Sequence, residues 1–459
     1  MKKLILICAP VSSRSGYGAH ARDLVSSFIE HDDKYDVKIQ DVRWGDCPRD
    51  ALKEDNPNHK KMMDCFLQGP TLERQPDAYI DIRIPHEFET HGKFNIGITA
   101  GVETDAVSHK WLESCNKMDL VIVPSEHSKQ GFVQTVYDKM ENLPDGSQKK
   151  VGEMRLEKPM EVLFEGASED IYKPLTKDEI DSDFFDMLNN KVPERFAFLF
   201  VGQWTKGGYG EDRKDIFRLI KLFYETFANQ KKQPALILKT NGATFSTLDK
   251  EDVLSKINGI KDMFPKGIKL PNVYLLHGDL SDTEINYLYN HPKVKCMVSL
   301  THGEGFGRPL LEATMTGLPV IASGWSGHLD FLDRDLSMLL NGQMVQIPNS
   351  MVWENVLIAE SRWFQIDEKT SSSAMRFAYD NENSIKSKAK TLMHQNRKTF
   401  TLNNMSKKLN DVVHKHLDGQ GLFPSQVKLN LPKLSKANSN STKQPAVKLP
   451  KLKKVVEEV

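Results

Sequence analysis

Apolar residues arrive in short runs that alternate with longer amphipathic stretches. Residues 3–9 form the first run and lead into Ser12-Ser13-Arg14-Ser15-Gly16-Tyr17-Gly18. Beyond it Ala19, Ala21, Leu24, Val25 and Phe28 recur at helical spacing. Further runs predict strands at 36–42, 79–84, 95–99, 120–124 and 160–164, with a helix at 110–116 and another capped by Ser125. Residues 45–75 and 139–160 are polar or charged and read as loops. The alternation restarts after Pro193, with strands at 196–201, 235–239 and 273–277 and helices at 216–227, 250–264 and 282–289. The last of these opens on the capping box Ser281-Asp282-Thr283-Glu284. Two trains of alternating strands and helices predict an α/β protein with two Rossmann-like, doubly wound domains.

The densest pattern lies between Ser299 and Gly327. An apolar run (Val294, Met297, Val298, Leu300) ends in a loop holding Gly303, Gly305 and Gly307. Pro309 opens a helical pattern that stops at Gly317, and a strand follows at 318–322. Glycines ahead of a helix N-terminus let backbone N–H groups approach an anion, and the helix dipole favours it. A phosphate or diphosphate is therefore the expected ligand. At the chain's start, Gly16-x-Gly18-x-x-Ala21 meets only the relaxed dinucleotide fingerprint, which leaves a structural turn and a ligand contact equally open. A helical segment is expected at 353–358 and a long polar helix at 381–416.

The expected divisions are 1–170 and 171–345 for the two Rossmann-like domains and 346–418 for a C-terminal helical segment able to pack back on the first domain. Residues 419–459 form a tail that repeats VKLNLPKLSK loosely as VKLPKLKK and carries eight lysines, a composition that predicts disorder. The tail is open to two readings: solvated chain, or an anchor for a partner or an anionic membrane surface.

Composition narrows the function. Lysine plus arginine equals aspartate plus glutamate at 62 each, which argues against a nucleic-acid binder working by charge. Five cysteines without CxxC spacing suit a reducing compartment rather than zinc or a disulfide framework. The apolar start, Leu4–Ala9, is too short for a signal-peptide core, and no run reaches the ~20 residues of a membrane span. A cytoplasmic location, with peripheral membrane association open through the tail, is the expectation.

Two acids frame the glycine loop, Glu304 and Glu312, with seven residues between them. Were the stretch helical they would stand roughly 12 Å apart, beyond the ~5–9.5 Å of a glycosidase pair. The spacing suits two contacts on a long ligand. His302 reads as a structural strand-end residue. The two DxD spellings, at 181–183 and 333–335, lie away from the glycine loops and read as surface.

GEGFGRPLLEA followed by TGLPVIA resembles the E-x7-E signature of retaining GT-B glycosyltransferases, closest to glycosyltransferase family 4 (group 1). The similarity extends through FLFVGQWTKGGYGEDRKDIFRLIKLF, NIGITAGVETD, VIVPSEHSKQGF and VLFEGASEDIYKP, over roughly residues 1–340. It implies a GT-B fold, with an acceptor-side first domain and a nucleotide-sugar-binding second domain facing across a cleft. It also implies transfer of a sugar from a nucleoside-diphosphate donor to an acceptor hydroxyl with retention, needing no metal or other cofactor. By position, Glu312 would bind the ribose, Glu304 the transferred sugar near the reacting carbon, and the loop Gly305, Phe306, Gly307 and Arg308 the diphosphate. Lys214, with Arg213, would neutralise that diphosphate, and Gly16 and Gly18 would approach the donor from the first domain. Gln203 stands where many members have a basic residue. Ala100–Thr104 replaces a segment that often supplies a histidine beside the sugar, so Glu103 is the candidate for that catalytic role beside Glu304 and Lys214. Glu165 likewise replaces a frequent histidine. The acceptor is open among carbohydrate, lipid-linked and protein classes. Rival readings are a nucleotide-sugar-binding protein without transfer and a scaffold presenting the tail.

Overall fold

A computed structural model describes residues 2–418, apart from 32, 70, 145–146, 205–206 and 243, together with Val455–Glu458. The first domain begins β1 (Lys3–Ala9), α1 (Gly16–Ile29), β2 (Tyr35–Asp41), α2 (Pro57–Asp64), β3 (Ala78–Ile82) and β4 (Phe94–Ile98). It continues with α3 (His109–Cys115), β5 (Leu120–Val123), α4 (Glu126–Gln134), β6 (Tyr137–Asn142), β7 (Gln148–Met154) and β8 (Met160–Val162). Six strands form a parallel sheet in the order β2-β1-β3-β4-β5-β8. Ile5, Ile7 and Ile80 on one face and Leu6, Tyr79 and Val121 on the other are all buried, as fits strands covered on both faces.

After α5 (Ser182–Lys191) the second domain runs β9 (Ala197–Gln203), α6 (Ile216–Phe227), β10 (Ala235–Asn241), α7 (Thr247–Lys261), β11 (Val273–His277) and α8 (Asp282–Asn290). Then come β12 (Val294–Ser299), α9 (Arg308–Met315), β13 (Val320–Ser323), β14 (Met338–Leu340), β15 (Gly342–Gln346) and β16 (Arg362–Ile366). Helices α10 (Glu368–Asp380), α11 (Glu382–Thr399) and α12 (Leu402–Val413) follow. The second sheet has the order β14-β13-β12-β9-β10-β11, with Val455–Glu458 as β17, antiparallel on the β11 edge. The tail reading otherwise falls on 419–454 and 459, outside the described residues. Among the described residues no helix is long and apolar enough to cross a membrane.

Chain order reverses between β9 and its neighbours β10 and β12. The crevice above the carboxyl ends of β9 and β12 is where an open α/β sheet takes ligands. The loops leaving those two strands carry Arg213–Lys214 and Gly303–Arg308.

Four local expectations are corrected. Residues 139–160 hold the β6–β7 hairpin, whose charged, mostly exposed strands hid their pairing. Within 45–75, Asn56 caps the short helix α2 with Pro57 at its first position. Residues 353–358 form no helix; Trp353 bridges Leu357, beside the β15–β16 hairpin. The long polar helix divides at Phe400, whose ring packs on Phe164 and Phe331, and Thr401 caps α12. That break turns the chain: α11 lies on α9 of the second domain, whereas α12 lies on α1 of the first.

Candidate functional site

The loop after β9 is held by buried polar groups. Asp212 accepts from the Ile216 amide at 3.0 Å, and Asp215, in the left-handed region at φ 50°, accepts from Arg218 Nε at 2.6 Å. The Arg213 carbonyl accepts from the His302 amide at 3.0 Å, which ties this loop to the end of β12. Burial pushes Asp212 up to about 7 and Asp215 up to about 6. The Asp212-x-x-Asp215-x-x-Arg218 spacing at a helix start was a readable sign of this support.

So anchored, Lys214 Nζ donates to Glu304 Oε1, and Arg213 ion-pairs with Glu103 of the first domain. Burial raises the Glu304 carboxyl, but the cations Lys214 and Arg213 outweigh it and hold Glu304 below its ordinary value. Glu304 is therefore an anion at neutral pH, and its amide donates to Ser326 Oγ at 2.9 Å. Glu312 lies one helical stretch further on and is pushed up to about 7 by burial, against the pull of Arg308. Arg308 Nε binds Glu312 at 3.0 Å and its Nη1 binds Asp23 of α1 at 2.5 Å. Tyr289 donates to Glu312 at 3.4 Å. Among the described residues the amides of Gly305, Phe306, Gly307 and Arg308 carry no protein hydrogen bond, and the Phe306 side chain is buried against Phe331.

Residues 266–350 match the family model described as glycosyl transferases group 1. The match begins ahead of β11 and runs through the Gly303–Arg308 loop and α9 past the end of β15. No curated protein matches the chain by sequence. Solved structures share the fold at low identity. A sucrose-phosphate synthase from Thermosynechococcus elongatus aligns with TM-score 0.59 and 11% identity, covering 91% of this chain and 100% of its own. HepE from Anabaena, in complex with UDP and glucose, aligns with TM-score 0.54 and 13% identity, over 90% of this chain and 100% of its own. The UDP-forming α,α-trehalose-phosphate synthase of Burkholderia xenovorans, in complex with glucose-6-phosphate, aligns with TM-score 0.54 and 12% identity, over 91% and 100%. The architecture is GT-B: two Rossmann-like domains facing across a cleft.

The first domain presses closely on the glycine loop after β12. A Cβ on Gly305 would lie 2.0 Å from the Ala100 carbonyl oxygen, and one on Gly303 would lie 2.2 Å from that of Glu103. Ser125 Oγ donates to the Gly305 carbonyl at 2.6 Å and Ser128 Oγ at 3.3 Å. These glycines thus admit the facing domain's backbone; the Gly305 amide is bare, whereas that of Gly303 donates to Thr301 Oγ1 at 3.4 Å. Gly307 has φ +97°, a conformation that favours glycine. In the first-domain glycine loop the two residues separate. A Cβ on Gly18 would meet the Ser13 carbonyl oxygen at 2.2 Å, so chain packing requires it, whereas Gly16 has nothing within 4 Å. Tyr17 between them donates to or accepts from Thr99 at 2.8 Å and accepts from the Ala100 amide at 3.1 Å.

His302 is structural: fully buried, its Nδ1 lies 2.7 Å from the Phe364 carbonyl and its ring stacks on Trp363. In the DxD spellings Asp181 caps α5 and Asp333 accepts turn amides. The sequence pattern does not mark Asp23, Tyr17, Ser125 or Ser128 as site residues. Ser125 was legible only as a helix cap, and nothing local to Asp23 points across the cleft.

Proposed function

We propose that the chain is a retaining, metal-independent glycosyltransferase that moves a sugar from a nucleoside-diphosphate donor to an acceptor hydroxyl. The observation that carries this reading is the Lys214–Glu304 pair set beside a row of bare amides, with Glu312 on the helix α9 that follows the same loop. Lys214, Arg213 and the amides supply preorganised positive potential where a departing diphosphate gathers negative charge. The anionic Glu304 stands beside that potential, suited to the sugar carbon as it becomes cationic. Glu312, backed by Arg308 and Tyr289, is suited to the ribose hydroxyls. In front-face transfer the acceptor oxygen bonds to the sugar carbon as the bond to the diphosphate breaks. The electron pair leaves on the phosphate oxygen, which takes the acceptor's proton. HepE, with its bound UDP and glucose, and the UDP-forming trehalose-phosphate synthase support a nucleotide-sugar donor. The five free cysteines fit work on the cytoplasmic side.

Paired variants test the assignment. Glu312→Ala should weaken donor binding, and Glu304→Ala should mainly lower turnover. Wild-type behaviour in both would sink the roles. Failure of wild type to bind or hydrolyse any of a panel of UDP-, GDP-, ADP- and dTDP-hexoses would sink the enzyme reading. Binding without transfer would favour a nucleotide-sugar-binding protein.

A further inference from the structure

The exposed apolar side chains of this protein gather at one hairpin. Among the described residues ten large apolar side chains stand exposed, and four of them, Val133, Val136, Met140 and Val151, fall on the end of α4, the turn after it and the β6–β7 hairpin. Such clustering marks an interaction site where singly scattered residues would not. The hairpin's root is fixed: Tyr137 Oη donates to the Val107 carbonyl at 2.7 Å, and Met154 packs against the first domain's apolar core. Beyond the root, Asp138–Asn142 of β6 are all exposed. β7 continues into a segment tied to the end of α3, where Asn116 donates to the Arg155 carbonyl and accepts from the Glu157 amide, both at 2.8 Å. β6 is bonded to β7 alone, and its outer edge has no strand beside it among the described residues.

Charge distinguishes two residues of that edge strand. Asp138 pairs with Lys150 at 2.5 Å, Lys150 with Glu153 at 3.2 Å, and Glu153 also with Arg155, so these charges are matched inside the hairpin. Lys139 and Glu141 have no hydrogen bond or ion pair of their side chains among the described residues. They flank Met140, so both lie on one face of β6 and Met140 lies on the other.

An exposed edge strand invites a further strand, and charges on it normally keep copies apart. On β6 one antiparallel register does the reverse. Laid against β6 of a second copy with Met140 opposite Met140, the strand sets Lys139 opposite Glu141, Glu141 opposite Lys139, and Asp138 opposite Asn142. Neighbouring registers set Asp138 opposite Glu141, Lys139 opposite Lys139 or Glu141 opposite Glu141, or they pair no charges at all. Opposite charges directly across an antiparallel pair stabilise it, and like charges oppose it. The two-fold relation makes the favourable pair twice, as an isologous contact does. Six residues of strand, about 20 Å, would separate the two Tyr137 roots at opposite ends of the joined sheet, so the two bodies extend away from each other. We propose that β6 is a docking edge for a second copy of this chain, joining two hairpins into one four-stranded sheet with the β6 strands at its centre. An isolated two-stranded hairpin is marginal, and added strands stabilise it. The few residues involved make a small interface, hence a weak and reversible dimer.

Sedimentation velocity of the full chain from about 5 to 500 µM covers the affinities of a small interface. Wild type should shift from monomer towards dimer across this range. Lys139→Glu and Glu141→Lys each turn both cross-strand pairs into like charges, so each should weaken association by about tenfold or more. Mixed in equal amounts, the two variants restore opposite charges at both crossings and should associate as wild type does. Neither side chain holds a bond in the fold, so both variants should keep the wild-type melting temperature. A wild type that stays monomeric to the highest concentration overturns the proposal and leaves the hairpin to a different protein or a membrane surface. A dimer indifferent to Lys139→Glu, or single variants that stay apart when mixed, overturns it as well, by placing the contact elsewhere.

Discussion

Replacing Arg308 by methionine keeps most of the side chain's volume and removes the charge that joins Asp23 of the first domain to Glu312 of the second. Even with Arg308 present, burial lifts Glu312 from 4.5 to about 7. At 1.36 kcal/mol per pH unit, ionising it in the folded chain costs about 3 kcal/mol. Because the folded-state value lies above the unfolded one, the folded chain keeps this proton longer. Stability therefore falls as pH rises between about 4.5 and 7, and the full penalty applies above 7. Without the guanidinium, Asp23, Glu165 and Glu312 all lose a cation that lowers them, so the window extends further upward. Breaking a buried ion pair costs about 3–5 kcal/mol, and Arg308's 18% exposure places this case at the lower end. Near 3 kcal/mol at pH 8 corresponds to a fall of about 6–12 °C in Tm for a domain of this size, and the fall should be about half as large at pH 5.5, where Glu312 is protonated in both proteins. Thermal melts of wild type and Arg308→Met at the two pH values provide the assay. The triple variant Arg308→Met, Asp23→Asn, Glu312→Gln should recover most of the loss, since neither of the two carboxylates that Arg308 bonds is left stranded. An equal fall at both pH values, or no recovery in the triple variant, would show that Arg308 contributes packing rather than charge.

The contact between domains yields further expectations. Gly305→Ala places a methyl 2.0 Å from the Ala100 carbonyl oxygen, so the closed arrangement must open. Transfer should fall by about 100-fold with little change in Tm, as misplacement of a reacting group does; unchanged transfer would remove closure from the mechanism. Gly16→Ala distinguishes the two readings of the first glycine loop. With nothing within 4 Å the fold should tolerate it, so a raised KM for donor would mark a ligand contact and an unchanged one a plain turn. Ser125→Ala removes the 2.6 Å bond to the Gly305 carbonyl and should cost about 1 kcal/mol, measured by melting, with Ser128 left to take up the acceptor.

Much of this protein was legible along the chain, because each strand and helix advertises itself by its own spacing. The helix Ile216–Phe227 and the strand Val273–His277 fall where their apolar periodicity puts them. The glycine loop between β12 and α9, with its two acids, is a local pattern of strand, loop and helix punctuation, and so could be read without the fold. What failed locally had signals too faint or ambiguous: the charged β6–β7 hairpin, and the turn at Phe400–Thr401 inside a continuous polar helical pattern. The partners of the site residues belong to tertiary structure alone. Asp23 stands 285 positions from Arg308, and Ser125 stands 180 from Gly305. Such pairs arise only when two separately folded sheets are brought face to face, and no spacing rule reaches that far. The same holds for the glycines. Their sequence pattern foretold bare amides for an anion, but only the fold shows Gly303 and Gly305 lacking side chains where another domain's backbone fills the space. Charge states, too, are collective. Sequence offers Glu304 in the glycine loop and Glu312 on the helix after it as two like carboxylates, and the packed cleft divides them, with Lys214 keeping the first ionised and burial holding back the second.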